Sequence, residues 1–501
     1  MLQLDAFAES LRLLLTPLSD LILAYVPESW IMSLPAITLV IFGIIALVVG
    51  MKYNPLAISF IGVFLATLEM VMFNPTVMSG YSFGTLFVRD AFTDFFIYIV
   101  LIVAFLVLMS STMWGGDKGA YNFLLMISFA GALWVVMATD LVALFVAWEL
   151  MSTPTYILVA LGPKREAVDG ATKYFVMGLL ATMLMLFGVA LTFGVAGTTE
   201  LSVLSGYVNG LWASPVGQEG AVYTLLLAMV LFLVSFGFKV GIFPGWQWVP
   251  DAYASADGSV TAYLAGGSKK TGVSALLRIL MIGFFFARIE WAPLIAGVAI
   301  MTMIIGNVLA LAQKDIMRML AYSSIAMMGY LFIGVAAATE MGMAAANFHA
   351  FSHALMKTAA FILIWAMSFK LTKRITYDDL AGLGKRAPAV AAMFAILILS
   401  LIGFPGTVGF LSKMLLFLSV FEVGMWWLAL IALLNTVFSL GYYLRVLRYM
   451  YMEEPKNDSK LNLPKVPLVA VAICVIAVVT LSIIPSLITD YAFEAAELFF
   501  P

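Results

Sequence analysis

Apolar runs of about 18 residues or more recur from one end of this chain to the other, each long enough to cross a hydrocarbon core about 30 Å thick. No other feature restricts the fold as much. In a bilayer the backbone N–H and C=O groups of such a run must be satisfied within the run itself, so each one reads as a helix. A soluble alternative fails on composition. Hydrophobic residues make up 63% of the chain and charged residues 11%, against about 25% charged in an average soluble domain. The chain is an all-α polytopic membrane protein.

Fourteen transmembrane helices are expected, at 34–51, 55–74, 92–113, 121–138, 141–161, 171–195, 222–244, 259–285, 291–312, 317–338, 342–369, 390–412, 425–450 and 466–489. Turn-forming punctuation separates them: NPTVMSG after Phe73, GGDKG at 115–119, GPKREAVDG at 162–170. The longest connection, TELSVLSGYVNGLWASPVGQEG at 199–220, reads as a polar loop. No gap can hold a soluble domain, so residues 1–501 form one transmembrane domain. It divides into N-terminal helices over 1–113, two blocks over 121–285 and 291–450, and a last helix over 466–489.

Loop charge sets the expected orientation. The loops on the face away from both termini carry seventeen Lys and Arg, and those on the terminal face carry three, Arg12, Arg89 and Arg288. By the positive-inside rule the basic face is cytoplasmic and both termini lie outside, in a plasma or inner membrane. The N-terminal MLQLDAFAESLRLLLTPLSD has acids and no small-residue cleavage site, so it reads as an amphipathic lead-in rather than a signal peptide. The single cysteine, Cys474, excludes a disulfide within the chain and reads as apolar packing.

The remaining six basic residues fall within the expected spans or at their ends: Lys239, Lys269, Lys270, Arg278, Lys357 and Lys413. A charge at mid-bilayer costs about 2.5–3.5 kcal/mol, so such groups mark bundle interiors and ion pathways. Lys239 precedes Phe243-Pro244-Gly245, and Lys413 follows Phe404-Pro405-Gly406. A matched pair of interrupted helices in two halves of a chain points to a transport site. The reversed order of lysine and break is what an inverted repeat would give. Here the interruption is expected at Pro244–Gly245 and Pro405–Gly406.

Glu149 sits in the apolar run LVALFVAWELMSTPTYILVAL and is the natural partner of Lys239. Burial penalises the charged form of a lysine, while a nearby carboxylate favours it, so moving that carboxylate would load or unload the proton. Lys269 and Lys270 are adjacent and point about 100° apart, so one of the two is expected to face the interior. His349, His353 and Lys357, at i, i+4 and i+8, line one helix face and suit a proton relay. Among the weaker acids, Asp140 is placed to cap its helix, Glu69 to reach the interface, and Asp90 and Asp94 at the membrane surface. The 31 methionines read as adaptable packing. No nucleotide-binding loop, flavin fingerprint, cysteine cluster, metal site or haem-ligand pair is evident. The chain has groups to move protons or ions but none to carry electrons, and nothing that suggests nucleic acid.

Several stretches together carry a family resemblance: WEL at 148–150, ATKYFVMG at 171–178, FKVGIFPGWQWVPDAY at 238–253, VTAYLAGGSKK at 260–270, QKDIMRMLAYSSIAMMGY at 313–330, YDDLAGLGKRAP at 377–388 and LIGFPGTVGFLSK at 401–413. In these the chain resembles the antiporter-like proton-pumping membrane subunits of respiratory complex I and its relatives, over about residues 30–490. ATKYF, LAGLGKRAP and a lysine at 413 are most similar to the N type. The resemblance implies two inverted five-helix repeats, helices 4–8 and 9–13, with helices 7 and 12 broken. It implies a proton path from Glu149 and Lys239 through Lys269, at the family's lysine position in GSKK, to Lys413. It further implies flavin and iron–sulfur clusters in partner subunits, none in this chain, and M-like and K-like membrane neighbours. Two features depart from the N pattern. Met327 stands where the family often has histidine, and FHAFSHALMKT, with His349, His353 and Lys357, is more similar to the L and sodium/proton antiporter types. The alternative reading is a subunit of a multi-subunit sodium/proton antiporter, and a third is a scaffold with a dead ion path.

Overall fold

The computed structural model describes residues 15–20, 22–73, 80–162, 165–455 and 459–500. The first fourteen residues of the expected lead-in, the expected turn over 74–79, and Arg12, Lys164 and Lys456 lie outside the described residues.

Helices dominate the described residues. In chain order the main ones are α1 Leu34–Gly50, α2 Leu56–Met72, α3 Ala91–Ser110, α4 Lys118–Met137, α5 Leu141–Ala160, α6 Ala167–Ala196, α7 Leu201–Ala213, α8 Glu219–Val240, α9 Trp248–Ser255 and α10 Gly258–Tyr263. There follow α11 Lys269–Arg278, α12 Arg288–Leu311, α13 Ile316–Ala337, α14 Glu340–Leu371, α15 Pro388–Ile402, α16 Val408–Glu422, α17 Trp426–Met452, α18 Lys465–Ile483 and α19 Ser486–Glu497. Among the described residues one small sheet pairs Gly80–Ser82 antiparallel with Phe87–Arg89.

Among the described residues ten helices are long and apolar enough to cross a membrane. The other four expected spans have physical reasons for falling short of that measure. α1 and α2 have 17 residues each, about 26 Å of helix at 1.5 Å per residue. The span at 259–285 is a rod in which π-helical turns, Leu264–Ser268 and Ile279–Gly283, flank α11. The span at 390–412 is broken into α15 and α16. Part of the 199–220 segment, expected to be a loop, forms α7, which buries Leu201, Leu204, Val208 and Leu211 on one face.

The centre of the bundle is α13 and α14, buried along almost their whole length. Small residues allow this packing, as they do in membranes generally. A Cβ at Gly306 of α12 would stand 2.5 Å from the Ala326 nitrogen of α13. A Cβ at Gly342 of α14 would stand 2.3 Å from the Gly334 carbonyl of α13.

Two buried ion pairs fasten one end. Arg89 meets Asp94 at 2.7 Å and also bonds the Met70 carbonyl; Arg278 takes both oxygens of Asp90, at 3.0 and 3.1 Å. Asp90 and Asp94 were expected at the surface and Arg89 in a loop. Both arginines are instead fully enclosed, because each guanidinium finds a carboxylate that offsets its desolvation. At the other end Asp251 receives Lys173 from α6 and Arg318 from α13, tying the two halves together.

Candidate functional site

The two interrupted helices end in the same way. α8 stops at Gly241, φ +73°, where Gly241 N–H donates to Phe238 O and Ile242 N–H to Gly237 O. α15 stops at Gly403, φ +84°, where Gly403 N–H donates to Ser400 O and Phe404 N–H to Leu399 O. This crossed pair of bonds around a left-handed glycine is a helix terminator, and proline commonly follows it because it cannot continue the helix. The stop is therefore Gly241 and Gly403, a few residues before the Pro-Gly dipeptides that the sequence singled out. Each stop leaves the carbonyl end of a helix, the negative pole of its dipole, inside the protein.

Three lysines gather at these two ends. Lys239 lies in the last turn of α8, fully buried. Its ammonium donates to Tyr174 OH at 2.7 Å, Ser152 Oγ at 3.0 Å and Thr155 Oγ1 at 3.4 Å. Lys269 begins α11, and its Nζ comes so close to Gly241 that a Cβ there would stand 3.1 Å away. It also lies over the Tyr253 ring and 3.4 Å from Ser324 Oγ. Lys413, in α16, reaches back across the second break. It donates to Ile402 O at 2.9 Å, on the last residue of α15, and lies 4.5 Å from the centre of the Tyr330 ring.

Glu149 is not in contact with Lys239. Its carboxylate accepts from Thr182 Oγ1 at 2.7 Å and Thr153 Oγ1 at 3.3 Å. Ser152 and Thr155, both bonded to Lys239, follow Glu149 by three and six residues along α5, so hydroxyls stand where a direct ion pair was expected.

Lys269 and Lys270 are both completely buried, contrary to the expectation that one would face away. The surroundings account for this, because α11 is enclosed on all sides in the bundle. The side chain of Lys270 turns toward α14, where Nζ lies 2.6 Å from His353 Nδ1 and 3.0 Å from the Ala265 carbonyl. From His353 the row continues to His349, ring centres 6.1 Å apart, and His349 Nδ1 lies 3.1 Å from Ser412 Oγ. Ser412 adjoins Lys413 in sequence. Lys357 leaves this row: it bonds Leu320 O at 3.0 Å and Ser323 Oγ, both on α13.

The structure thus brings Lys239 and Lys269 together at Gly241, and lines up Lys270, His353 and His349 toward Ser412, the residue before Lys413. Among the described residues none of the five buried lysines forms an ion pair. A row of amines, imidazoles and hydroxyls of this kind can pass protons. Among the described residues no three His, Cys, Asp or Glu stand together as metal ligands. Sequence reasoning missed the hydroxyl partners Ser152, Thr155, Tyr174, Ser323, Ser324 and Ser412. The spacing of Ser152 and Thr155 from Glu149 in an apolar run was a usable signal, while Tyr174 and Ser324 reach the lysines only through tertiary packing. Asp140 does cap α5, through Val142 and Ala143 N–H, and Glu69 accepts from Thr38 on α1 at 2.7 Å.

Comparison with known proteins matches residues 138–439 to the family described as NADH:quinone oxidoreductase/Mrp antiporter, transmembrane. The F(420)H(2) dehydrogenase subunit N of Methanosarcina mazei is 33% identical over 493 residues, covering 93% of this chain and 98% of that protein. The NADH-quinone oxidoreductase subunit N of Trichlorobacter lovleyi is 36% identical over 428 residues, covering 83% and 86%. Among solved structures, a chain of respiratory complex I from Thermus thermophilus shares the fold with a TM-score of 0.76 at 24% identity, covering 91% of this chain and 98% of that chain.

Proposed function

The chain belongs to the NADH:quinone oxidoreductase/Mrp antiporter transmembrane family, and we propose that within it this protein is an N-type membrane subunit that translocates protons for a complex I-like dehydrogenase. The observation that carries this reading is the buried row of lysines and histidines, in which Lys239 and Lys269 lie at the Gly241 break and Lys413 bonds the carbonyl end of α15 at the Gly403 break.

In this reading the chain crosses the membrane fourteen times as two inverted five-helix repeats, with the basic face in the cytoplasm and both termini outside. Electron transfer in partner subunits, which hold the flavin and iron–sulfur clusters, perturbs charge along the membrane arm. Glu149 responds to that change through Thr182 and the hydroxyls of α5. Lys239 then hands its proton to Lys269, whose ammonium shares the Gly241 end of α8. Lys270, His353 and His349 carry the charge along α14 to Lys413, from which it leaves on the outer side. Water bridges the longer steps, such as the one between the two histidine rings. M-like and K-like subunits are the expected neighbours.

FHAFSHALMKT, similar to antiporter-type sequences, favours a second reading, a subunit of a sodium/proton antiporter driven by ion gradients. Purifying the native assembly from membranes separates the two. Co-purifying flavin, deazaflavin-dependent or iron–sulfur proteins support the dehydrogenase. Small membrane subunits alone would overturn it in favour of the antiporter.

A further inference from the structure

We propose that the cleft between the α1–α2 turn and the start of α4 binds the headgroup of an anionic phospholipid on the basic face of the protein. This does not rest on the proton path. The cleft has a volume of about 570 Å³ and is lined by Lys52, Tyr53 and Asn54 on one side and Asp117 and Lys118 on the other.

Its walls are held rigidly. A Cβ at Gly50, the last residue of α1, would stand 2.2 Å from Gly119 Cα at the start of α4, so the two helix ends touch through their backbones and fix both lysines around one opening. Asp117, the one carboxylate in the lining, has an oxygen committed to Gly119 and Ala120 N–H as the cap of α4. Neither Lys52 nor Lys118 forms an ion pair among the described residues. Five other cations on this face are paired with carboxylates: Lys173 and Arg318 with Asp251, Lys373 with Asp379, Arg374 with Glu166, Arg448 with Glu453. Two free ammonium groups over one cleft match a phosphate diester.

A second observation selects a lipid rather than a soluble anion. From Met51 at the cleft, 78% exposed, an exposed aliphatic stripe runs down α1 through Val48, Ile45, Ile44 and Ile41, each 40–59% exposed. Tyr53, 73% exposed, stands at the rim, the level at which aromatic side chains sit among headgroups. A diacyl lipid would place its phosphate between the lysines and lay a chain along this stripe. Basic pockets between helices on the cytoplasmic side bind acidic headgroups in this way.

The test is native mass spectrometry of the intact complex titrated with phosphatidylglycerol, phosphatidylcholine and glycerol phosphate. Wild type is expected to hold one phosphatidylglycerol more than Lys52→Gln/Lys118→Gln, whose affinity falls about 30-fold. Phosphatidylcholine and glycerol phosphate should not displace it. Lys52→Arg/Lys118→Arg should keep the lipid, and this variant decides the matter if the glutamine variant fails to assemble. Equal phosphatidylglycerol in wild type and the glutamine variant, or loss in the arginine variant, would overturn the proposal. So would displacement by glycerol phosphate, which marks a soluble-anion site, or lipid-independent cross-linking of Tyr53→Cys to a neighbouring subunit.

Discussion

The contact between Lys270 and His353 is the direct bond from the π-turned rod to α14, and breaking it should interrupt transfer between the two halves. Lys270 has two partners, His353 Nδ1 at 2.6 Å and Ala265 O at 3.0 Å. Replacing His353 with Phe keeps the ring volume but removes the nitrogen. A hydrogen bond to a charged group contributes about 1.5–3 kcal/mol. If that stabilisation serves the transfer step, its loss slows the step about 10- to 150-fold. Lys270→Met removes the other partner of the same bond. Because the two residues act as one unit, the double variant should be no slower than the slower single variant. The assay is the initial rate of proton uptake into vesicles holding the assembled complex, normalised to electron transfer. Losses that multiply in the double variant would refute the reasoning, since independent residues behave that way.

Three further outcomes follow from the packing. Asp90→Ala strips Arg278 of its bidentate partner in a buried site and should destabilise the protein by about 3–5 kcal/mol, read as loss of assembled subunit in membranes. Gly409→Ala would set a Cβ 1.8 Å from the Ser400 carbonyl, forcing α15 and α16 apart and moving Lys413. Proton uptake should fall, while electron transfer in uncoupled membranes persists. Burial alone would raise the Asp379 carboxyl, but hydrogen bonds from Lys373 and from Thr376 N–H and hydroxyl hold it below its ordinary 3.8. Its stabilisation of the basic-face loop is therefore present above that value and lost as pH falls through the lower, folded-state value. Protease susceptibility of this loop should rise at acid pH in wild type, and in Asp379→Asn it should be raised already at neutral pH.

Much of the fold was legible because hydrophobic thickness fixes helix length. The ends of α4, α5, α13 and α14 lie within about three residues of the expected limits, as fraying of helix ends allows. α7 was missed although Leu201, Leu204, Val208 and Leu211 recur at helical spacing; the Gly, Ser and Asn between them read as loop. At the breaks, proline drew attention away from Gly241 and Gly403, whose positive φ values end the helices. The lysines and histidines were legible as buried charges, because their cost in a bilayer makes them conspicuous. Their partners were not. Whether Lys239 meets Glu149 or Tyr174, and whether Lys270 finds His353, depends on the rotation of one helix against another, which single-chain periodicity does not encode. The ion pairs of Arg89 and Arg278 were hidden for the same reason.

The central claim is that Lys239 carries a translocated proton. Its most direct test is the number of protons taken up per electron in sealed vesicles containing the complex with Lys239→Met. The apolar side chain of similar length leaves Tyr174 and Thr155 bonded to each other, at 3.0 Å, so the subunit should still assemble. A bare charge crossing that position costs about 2.5–3.5 kcal/mol, enough to slow passage about 100-fold. The account predicts that proton uptake through this subunit disappears while uncoupled electron transfer continues. An unchanged proton-to-electron ratio in the fully assembled variant would contradict it.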